Sequence, residues 1–152
     1  MSLSFDVIKA LAGKTLVTAE SCTGGGIGSV LTAVPGSSQV YKGGVICYTD
    51  WVKENVLRVD GELLKACGAV SEPVAAAMAS GARKLLQADI AVSATGLAGP
   101  DGDGSPNPVG TVFIGYDSVD KSVVRQFHFD GDRDTVRSST VAAALELILQ
   151  ML

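Results

Sequence analysis

Hydrophobic positions recur at helical spacing in some segments and form short apolar or alternating runs in others, and this mixture predicts an α/β domain. The segments with helical spacing are 3–13, 27–34, 51–57, 60–67, 72–88 and a last helix after residue 132. The runs typical of strands are 14–20, 40–48, 89–94, 109–116 and 122–129. Helices before and between the strands, then a hairpin and a final helix, favour layers around a mixed sheet.

Turn and capping residues indicate where these elements begin and end. Asp50, Ser71 and Asp132 stand directly before helical patterns and are predicted to cap them. The last two strand patterns alternate and are joined by a short turn, so we expect an antiparallel hairpin. The segment 95–108 is rich in glycine and proline and is predicted to be a loop.

Polar and glycine residues follow three of the predicted strands, in segments 21–26, 48–53 and 95–104. Ligands of open α/β sheets bind beyond the carboxyl ends of the strands. We therefore expect these three segments to converge on one site.

The composition is that of a folded domain with an acidic balance. Of the 152 residues, 47% are hydrophobic and 18% are charged, with a net charge of -4. This predicts one domain spanning 1–152 and argues against nucleic acid or an anionic membrane as the partner. No apolar run reaches the roughly 18 residues that a membrane span needs. The N-terminus lacks a signal-peptide pattern, so a cytoplasmic protein is expected.

Few residues are available for redox or metal chemistry. The cysteines are Cys22, Cys47 and Cys67. An odd number without CxxC spacing favours reduced thiols. Because His128 is the only histidine, no zinc site is expected. Asp101 and Asp103 do not follow the EF-hand pattern, and solvation of their loop accounts for them.

The stretch ESCTGGG (20–26) follows a strand and opens a helix. Backbone N–H groups at such a helix start attract an anion or a developing oxyanion. No lysine follows the glycines, so the stretch is not a P-loop. Ser21 or Cys22 is a candidate nucleophile, and a tight glycine turn capped by Thr23 is the alternative.

The base for Ser21 would be His128 or Lys53. His128 lies within an alternating strand, where a half-exposed structural histidine is the simpler interpretation. If Asp50 is the cap, Lys53 stands in the first helical turn, where the helix dipole and partial burial favour a neutral amine. A solvated surface lysine is the alternative. Tyr48, at the preceding strand end, is either a hydrogen-bond donor nearby or a rim aromatic.

Arg133 and Arg137 are spaced i,i+4 at the start of the last helix, so they share a face. Two guanidinium groups beside a helix N-terminus suit a phosphate. The alternative is a salt-bridged surface with the neighbouring Asp130, Asp132 and Asp134.

Seven stretches, in order along nearly the whole chain, resemble the CinA C-terminal domain family, whose stand-alone members are nicotinamide-nucleotide amidases. They are AESCTGG (19–25), PGSS (35–38), GGVICYTDWVKENVLRV (43–59), GAVSEPVAAAMASGA (68–82), TGLAGPDG (95–102), PVGTV (108–112) and GDRDTVR (131–137). Several independent motifs at matching spacing make this resemblance specific.

The resemblance implies a three-layer α/β/α sandwich with a mixed, mostly parallel sheet. It implies hydrolysis of the carboxamide of nicotinamide mononucleotide to nicotinate mononucleotide and ammonia, in pyridine nucleotide recycling. Ser21 would be the nucleophile, Lys53 its general base, and Tyr48 a hydrogen-bonding partner of that pair. A small-molecule pyridine nucleotide is the implied partner, and no metal or organic cofactor is implied. A homo-oligomer is expected because small α/β enzymes are commonly oligomeric.

The resemblance also implies which residues bind substrate. Backbone N–H groups around Thr23, Gly24 and Gly25 would stabilise the oxyanion. The loop that lines the site would include Thr95 and Gly96. An arginine of GDRDTVR would hold the phosphate, with Arg137 preferred and Arg133 as the second choice.

Two positions depart from the family pattern: Trp51 is bulky, and Asn107 replaces a frequent lysine before the PVG motif. The nucleotide-pyrophosphatase-type module of longer members has no counterpart in these residues, so its activity is not expected. A non-catalytic nucleotide-binding module of the same fold is the competing hypothesis, and a cysteine hydrolase that uses Cys22 is a third.

Overall fold

The computed structural model describes residues 2–152 as a five-stranded sheet with six α-helices. The strands are β1 (Leu16–Glu20), β2 (Tyr41–Ile46), β3 (Ile90–Gly96), β4 (Thr111–Ser118) and β5 (Ser122–His128). The helices are α1 (Leu3–Ala10), α2 (Gly26–Thr32), α3 (Asp50–Asn55), α4 (Gly61–Cys67), α5 (Glu72–Leu86) and α6 (Arg133–Gln150), and a 3-10 helix covers Ser37–Gln39. The predicted elements are all present, with ends that differ by a few residues.

The strand order is β2-β1-β3-β4-β5. β1 pairs in parallel with both β2 and β3, whereas β4 is antiparallel to β3 and to β5. Four of the five strands therefore point the same way, which confirms the predicted mixed sheet and its hairpin. As a result, the carboxyl ends of β1, β2, β3 and β5 lie at one edge of the sheet.

Helices cover both faces of the sheet, which confirms the three-layer sandwich. One face packs on α1, α2 and α6, and its buried residues include Leu11, Leu31, Val92, Ile114 and Ile148. The other face packs on α3, α4 and α5, and its buried residues include Val17, Leu57, Leu64, Met78 and Ala91. No helix within residues 2–152 combines the length and the apolar character needed to cross a membrane.

The predicted caps are partly correct. Asp132 caps α6, because its carboxylate accepts a hydrogen bond from the Thr135 N–H at 2.9 Å. Ser71 occupies the N-cap position of α5, but its hydroxyl donates to the Gly68 carbonyl instead of capping.

The prediction that Asp50 caps α3 is wrong, because Thr49 occupies the N-cap position and Asp50 is the first helical residue. Because the helix also ends earlier than predicted, at Asn55, Lys53 falls in the last turn of this six-residue helix. Since a cation is unfavourable only near the positive N-terminal end of a helix, the helix dipole does not explain a neutral Lys53.

Gly81 brings α5 into close contact with the chain that follows α3. A Cβ at this position would collide with the backbone carbonyl of Leu57, which is buried. We expect Gly81→Ala to lower the free energy of unfolding by about 1–3 kcal/mol through overpacking, although alanine is the better helix former. Ser80→Ala, one residue away and only half-buried, is the control and should be neutral or slightly stabilising. Urea denaturation measures both, and an unchanged Gly81→Ala variant would contradict the close packing.

Candidate active site

Ser21 and Lys53 meet at the carboxyl edge of the sheet. The Lys53 Nζ lies 3.0 Å from the Ser21 Oγ, within hydrogen-bond distance. The same amine donates a hydrogen bond of 2.8 Å to the Cys47 backbone carbonyl. The predicted convergence of the first two strand ends is therefore present, and it brings a hydroxyl next to an amine.

Backbone pairing between the parallel strands holds both residues in place. The Ser21 N–H donates to the Ala94 carbonyl of β3 at 2.9 Å. On the other side, the Cys47 N–H donates to the Glu20 carbonyl at 2.9 Å, which extends the pairing of β1 with β2. Because the Cys47 carbonyl binds the Lys53 amine, the position of the amine is fixed relative to β1.

Lys53 is buried, with 1% of its surface exposed. Burial lowers the pKa of the Lys53 amine from its ordinary value, because desolvation disfavours the charged form, and the nearby Cys47 and Asp50 oppose this shift more weakly. Among residues 2–152, no carboxylate forms a salt bridge with this amine. A lysine whose pKa is lowered in this way is better suited to accept a proton than a solvated one.

A cleft of about 330 Å³ opens beside the pair, a size within the range of small-molecule sites. It is lined by Ser21, Cys22, Tyr48, Thr49, Asp50, Lys53, Ala69, Val70, Thr95, Gly96, Leu97, Ala98, Gly99, Asp101, Asp103 and Arg133. These residues come from all three predicted segments, from the start of α6 and from the chain before α5, which supplies Ala69 and Val70. The cleft is therefore the site that the strand ends were expected to form.

The two arginines of α6 are placed differently, although they share a helical face. Arg133 lines the cleft and donates to the Gly99 carbonyl at 2.6 Å. Arg137 instead donates to the carbonyls of Cys22 and Thr23, both at 3.1 Å, and lines a separate groove of about 500 Å³ between α1, α2 and α6. Only Arg133 thus faces the Ser21 cleft, whereas Arg137 was the preferred phosphate ligand.

Tyr48 makes no hydrogen bond to the serine–lysine pair within residues 2–152. Its hydroxyl accepts a hydrogen bond of 3.1 Å from Arg133, and the residue is largely exposed at the rim of the cleft. The expected hydrogen bond to the pair is therefore wrong. The reason is that Arg133, 85 residues later in the chain, reaches the same rim.

Thr95 and Gly96 lie at the end of β3 and line the cleft, as expected. The Thr95 hydroxyl donates to the Ala69 carbonyl at 2.8 Å, so it ties the start of the loop to the segment before α5. At Gly96, a Cβ would stand 2.6 Å from the Val112 side chain and 2.9 Å from the Thr111 carbonyl oxygen. This position therefore has no room for a side chain.

The glycine turn between β1 and α2 contains two consecutive residues in the left-handed region, Gly24 and Gly25. The Gly24 N–H donates to the Ser21 carbonyl at 3.1 Å, so it is already engaged. Within residues 2–152, the N–H groups of Thr23 and Gly25 have no acceptor. Of the three expected oxyanion donors, Gly24 is thus the one that lacks a free N–H, and none of the three residues lines the cleft beside Ser21.

Neither Cys22 nor His128 is placed as an alternative reactive group. Cys22 is buried, and desolvation raises the pKa of its thiol to about 11, so the thiol stays protonated at neutral pH. His128 lies at the end of β5, where a ring nitrogen is 3.1 Å from the Val109 carbonyl oxygen. Neither is the hydrogen-bond partner of Ser21, which is Lys53.

The two departures from the family pattern lie at the periphery. Trp51 is 68% exposed and does not line the cleft. The Asn107 amide donates to the Val70 carbonyl at 3.1 Å, which anchors the glycine-rich loop to the segment before α5. Asp101 and Asp103 lie on the rim of the cleft, and no cluster of three metal-binding side chains occurs in the described part of the chain.

Sequence reasoning missed two groups at the site, Glu20 and the Cys47 carbonyl. Glu20 is buried beneath the glycine turn, although acids are rarely buried in strands. The available signal was an acidic residue at the end of a mostly apolar strand, four positions before a run of three glycines. The Cys47 carbonyl left no signal in the sequence because it is a backbone group.

Together the fold and the site define an α/β sandwich with a buried serine–lysine pair in a cleft at the carboxyl ends of its parallel strands. The chain belongs to the CinA C-terminal domain family, whose profile matches residues 2–152. It is 44% identical to the nicotinamide-nucleotide amidohydrolase PncC of Escherichia coli, over 99% of this chain and 93% of that protein.

Longer relatives and a solved structure agree with this assignment. A CinA-like protein of Parasynechococcus marenigrum is 46% identical over 93% of this chain, but the match covers 34% of that protein. The chain thus spans about a third of the length of several curated relatives that it matches. The crystal structure of competence damage-inducible protein A from Klebsiella pneumoniae superposes with a TM-score of 0.95 at 38% identity, covering 98% of this chain and 94% of that one.

The lowered pKa of Lys53 predicts how stability depends on pH. Between that lowered pKa and the ordinary value of 10.5, the unfolded chain binds a proton at this amine that the folded protein does not. The free energy of unfolding therefore rises with pH across this window. Lys53→Met, which is unbranched and one atom shorter and cannot titrate, should lose this rise.

Urea denaturation of both proteins at pH 7 and pH 10 gives the comparison. Because the remaining titratable groups are shared, the difference between the two proteins reports Lys53. The stability of wild type relative to Lys53→Met should increase at pH 10, and the opposite sign would mean that the buried amine is charged in the folded protein.

Proposed function

We propose that this protein is a nicotinamide-nucleotide amidase, which hydrolyses the carboxamide of nicotinamide mononucleotide to nicotinate mononucleotide and ammonia. The observation that carries the proposal is the 3.0 Å contact between Ser21 and the buried amine of Lys53 in an open cleft. The near full-length similarity to the E. coli amidohydrolase supports the choice of substrate. A pyridine nucleotide is then the partner, and its recycling is the metabolic role.

In the first half of the reaction, the neutral Lys53 amine accepts the Ser21 proton while the Oγ attacks the amide carbon. The resulting tetrahedral intermediate collapses as Lys53 returns its proton to the leaving nitrogen, so that ammonia departs and an ester to Ser21 remains. In the second half, Lys53 takes a proton from water as the water oxygen attacks the ester carbon. Lys53 then returns this proton to the Ser21 Oγ as the bond between Oγ and the acyl carbon breaks, so that the acid product leaves and the serine–lysine pair is restored. The hydrogen bond to the Cys47 carbonyl supports this role because it orients the amine.

Two backbone N–H groups are the proposed donors for the oxyanion of that intermediate. Thr23 and Gly25 have N–H groups without an acceptor within residues 2–152, and both follow Ser21 closely. An oxyanion donor of this kind typically contributes about 10²–10³ in rate. Gly24 is left out of this role because its N–H already serves the turn.

Arg133 is the proposed anchor of the phosphate, in place of Arg137. Its guanidinium lines the cleft and is held by the Gly99 carbonyl and the Tyr48 hydroxyl, which leave other N–H groups free for a phosphate. Tyr48 is thereby assigned a role in orienting Arg133. Binding energy from this remote group would position the amide at Ser21.

The test of the function is release of ammonia from nicotinamide mononucleotide. We expect Ser21→Ala to abolish turnover and Lys53→Met to lower kcat by about 10²–10⁴-fold, the usual contribution of a general base. Lys65→Met, at an exposed lysine of α4, is the matched control and should retain full activity. Calorimetric binding of the nucleotide without ammonia release would favour the nucleotide-binding module instead. Full activity of Ser21→Ala would refute the proposed nucleophile.

Removal of the phosphate anchor should act on substrate choice. Wild type should use nicotinamide mononucleotide far better than nicotinamide riboside, which lacks the phosphate. Arg133→Met should lower kcat/KM for the nucleotide by about 10-fold or more, the loss of a charge-assisted contact of roughly 1.5–3 kcal/mol, and should leave the riboside unaffected. Arg125→Met, on β5 and exposed, is the control. If Arg133→Met lowered kcat/KM equally for both substrates, Arg133 would not be the phosphate anchor. If only Arg137→Met lost the preference for the nucleotide over the riboside, Arg137 would be the anchor, as the family resemblance implied.

A further inference from the structure

We propose that Glu20 is a positioning residue of the active site, whose carboxylate fixes the turn that presents Ser21 to Lys53. This inference rests on the proposed function, since it assigns a group that supports the same serine. Glu20 is the last residue of β1, directly before Ser21, and only 2% of its surface is exposed.

The Glu20 side chain accepts four hydrogen bonds beneath the glycine turn. Its Oε1 accepts from the Thr23 hydroxyl at 2.6 Å and from the Ile27 N–H at 2.8 Å. Its Oε2 accepts from the Gly28 N–H at 3.0 Å and from the Thr18 hydroxyl at 3.3 Å. An ionised carboxylate is the side chain suited to this set, because all four partners are able to donate and none needs a donor in return.

These bonds replace the cap that α2 lacks. The N-cap residue of α2 is Gly25, which has no side chain to bind the free N–H groups of the first turn. Glu20 binds the N–H groups of the second and third helical residues, the ones that an N-cap side chain would bind. Glu20, the last residue of β1, therefore caps α2, and the turn between β1 and α2 is held at both ends.

Ser21 lies in this turn between β1 and α2. The carboxylate holds Thr23, two residues after Ser21, while the Glu20 backbone carbonyl accepts from the Cys47 N–H at 2.9 Å. The backbone carbonyl of the same residue, Cys47, accepts a hydrogen bond from the Lys53 amine. Glu20 is thus linked to the hydroxyl side of the pair through its side chain and to the amine side through its backbone.

Weakening the hydrogen bonds of the Glu20 carboxylate should therefore disturb the geometry at Ser21 more than it disturbs the binding of substrate. We expect Glu20→Gln, which keeps the shape but replaces an acceptor oxygen with a donor, to lower kcat by about 10–100-fold, as small displacements of reacting groups do. KM should stay within about twofold, because the nucleotide contacts are untouched.

The matched control is Asp60→Asn. Asp60 caps α4 by accepting from the Glu62 N–H at 2.9 Å, outside the cleft. This variant also weakens a carboxylate that caps a helix, so it should lower the melting temperature without changing kcat. If both variants lose kcat in proportion to their stability, Glu20 acts only on folding and the inference is overturned.

A second readout separates this inference from the proposed substrate. Modification of Ser21 by a fluorophosphonate, followed by mass spectrometry, reports the presentation of the hydroxyl without any nucleotide. Glu20→Gln should slow this labelling by the same factor as kcat, and Asp60→Asn should not. If wild type labels at Ser21 but releases no ammonia, the proposed function fails and the labelling rates alone decide the inference. An unlabelled wild type, or equal rates in wild type and Glu20→Gln, overturns it.

A variant that removes a single bond covers the case in which Glu20→Gln does not fold. Thr23→Val keeps the size of the side chain and deletes only the hydroxyl that binds the carboxylate. It should slow the labelling of Ser21 in the same direction. An unchanged labelling rate in a folded Thr23→Val protein would mean that the hydrogen bond between Thr23 and the Glu20 carboxylate does not affect Ser21.

Discussion

The desolvation of one amine constrains the whole site. The Lys53 amine has been withdrawn from water, and among residues 2–152 no carboxylate forms a salt bridge with it; Asp50 opposes the effect of burial only weakly. A charged ammonium is costly in such a place, so the environment favours the neutral form. The Lys53 amine donates a hydrogen bond to the backbone carbonyl of Cys47, and it can still donate this bond when it is neutral. The burial that opposes the stability of the protein is thus the same feature that prepares the amine to receive a proton.

The direction of the strands explains how distant parts of the chain supply this environment. β1 carries Ser21 at its end, β2 leads to Lys53, and β3 leads to the loop that lines the cleft. Parallel pairing fixes the relative height of these ends, because the Ser21 N–H and the Cys47 N–H continue the ladders on either side of β1. The geometry of the pair is therefore a property of the sheet and not of flexible loops.

The sequence predicted what depends on local pattern and missed what depends on the orientation of packed elements. The presence of the strands, the hairpin and the Asp132 cap follow from spacing and turn chemistry, and the structure confirms them. The spacing of Arg133 and Arg137 predicts a shared face, but the position of each along α6 decides which guanidinium reaches the cleft, because Arg133 is the first residue of the helix and Arg137 lies one turn further on. The partner of Tyr48 depends on the same placement of Arg133. The start of α3 moved by one residue and its end by two, within the usual uncertainty of helix boundaries. These shifts place Lys53 in the last turn, which removes the dipole argument for a neutral amine.

The hairpin formed by β4 and β5 decides where α6 begins. β4 leaves the carboxyl edge and β5 returns to it, so the chain after Phe129 re-emerges beside the cleft it left at Gly96. Because β4 and β5 cross the sheet in opposite directions, the chain is back at the carboxyl edge when α6 begins, and Arg133 therefore lies beside the cleft. A relative that gained or lost a single strand in this segment would start its last helix at the far edge, some 20 Å away by the usual length of a strand. Insertions in this part of the fold should therefore come as pairs of strands, or as longer turns, wherever the arginine is kept at the mouth.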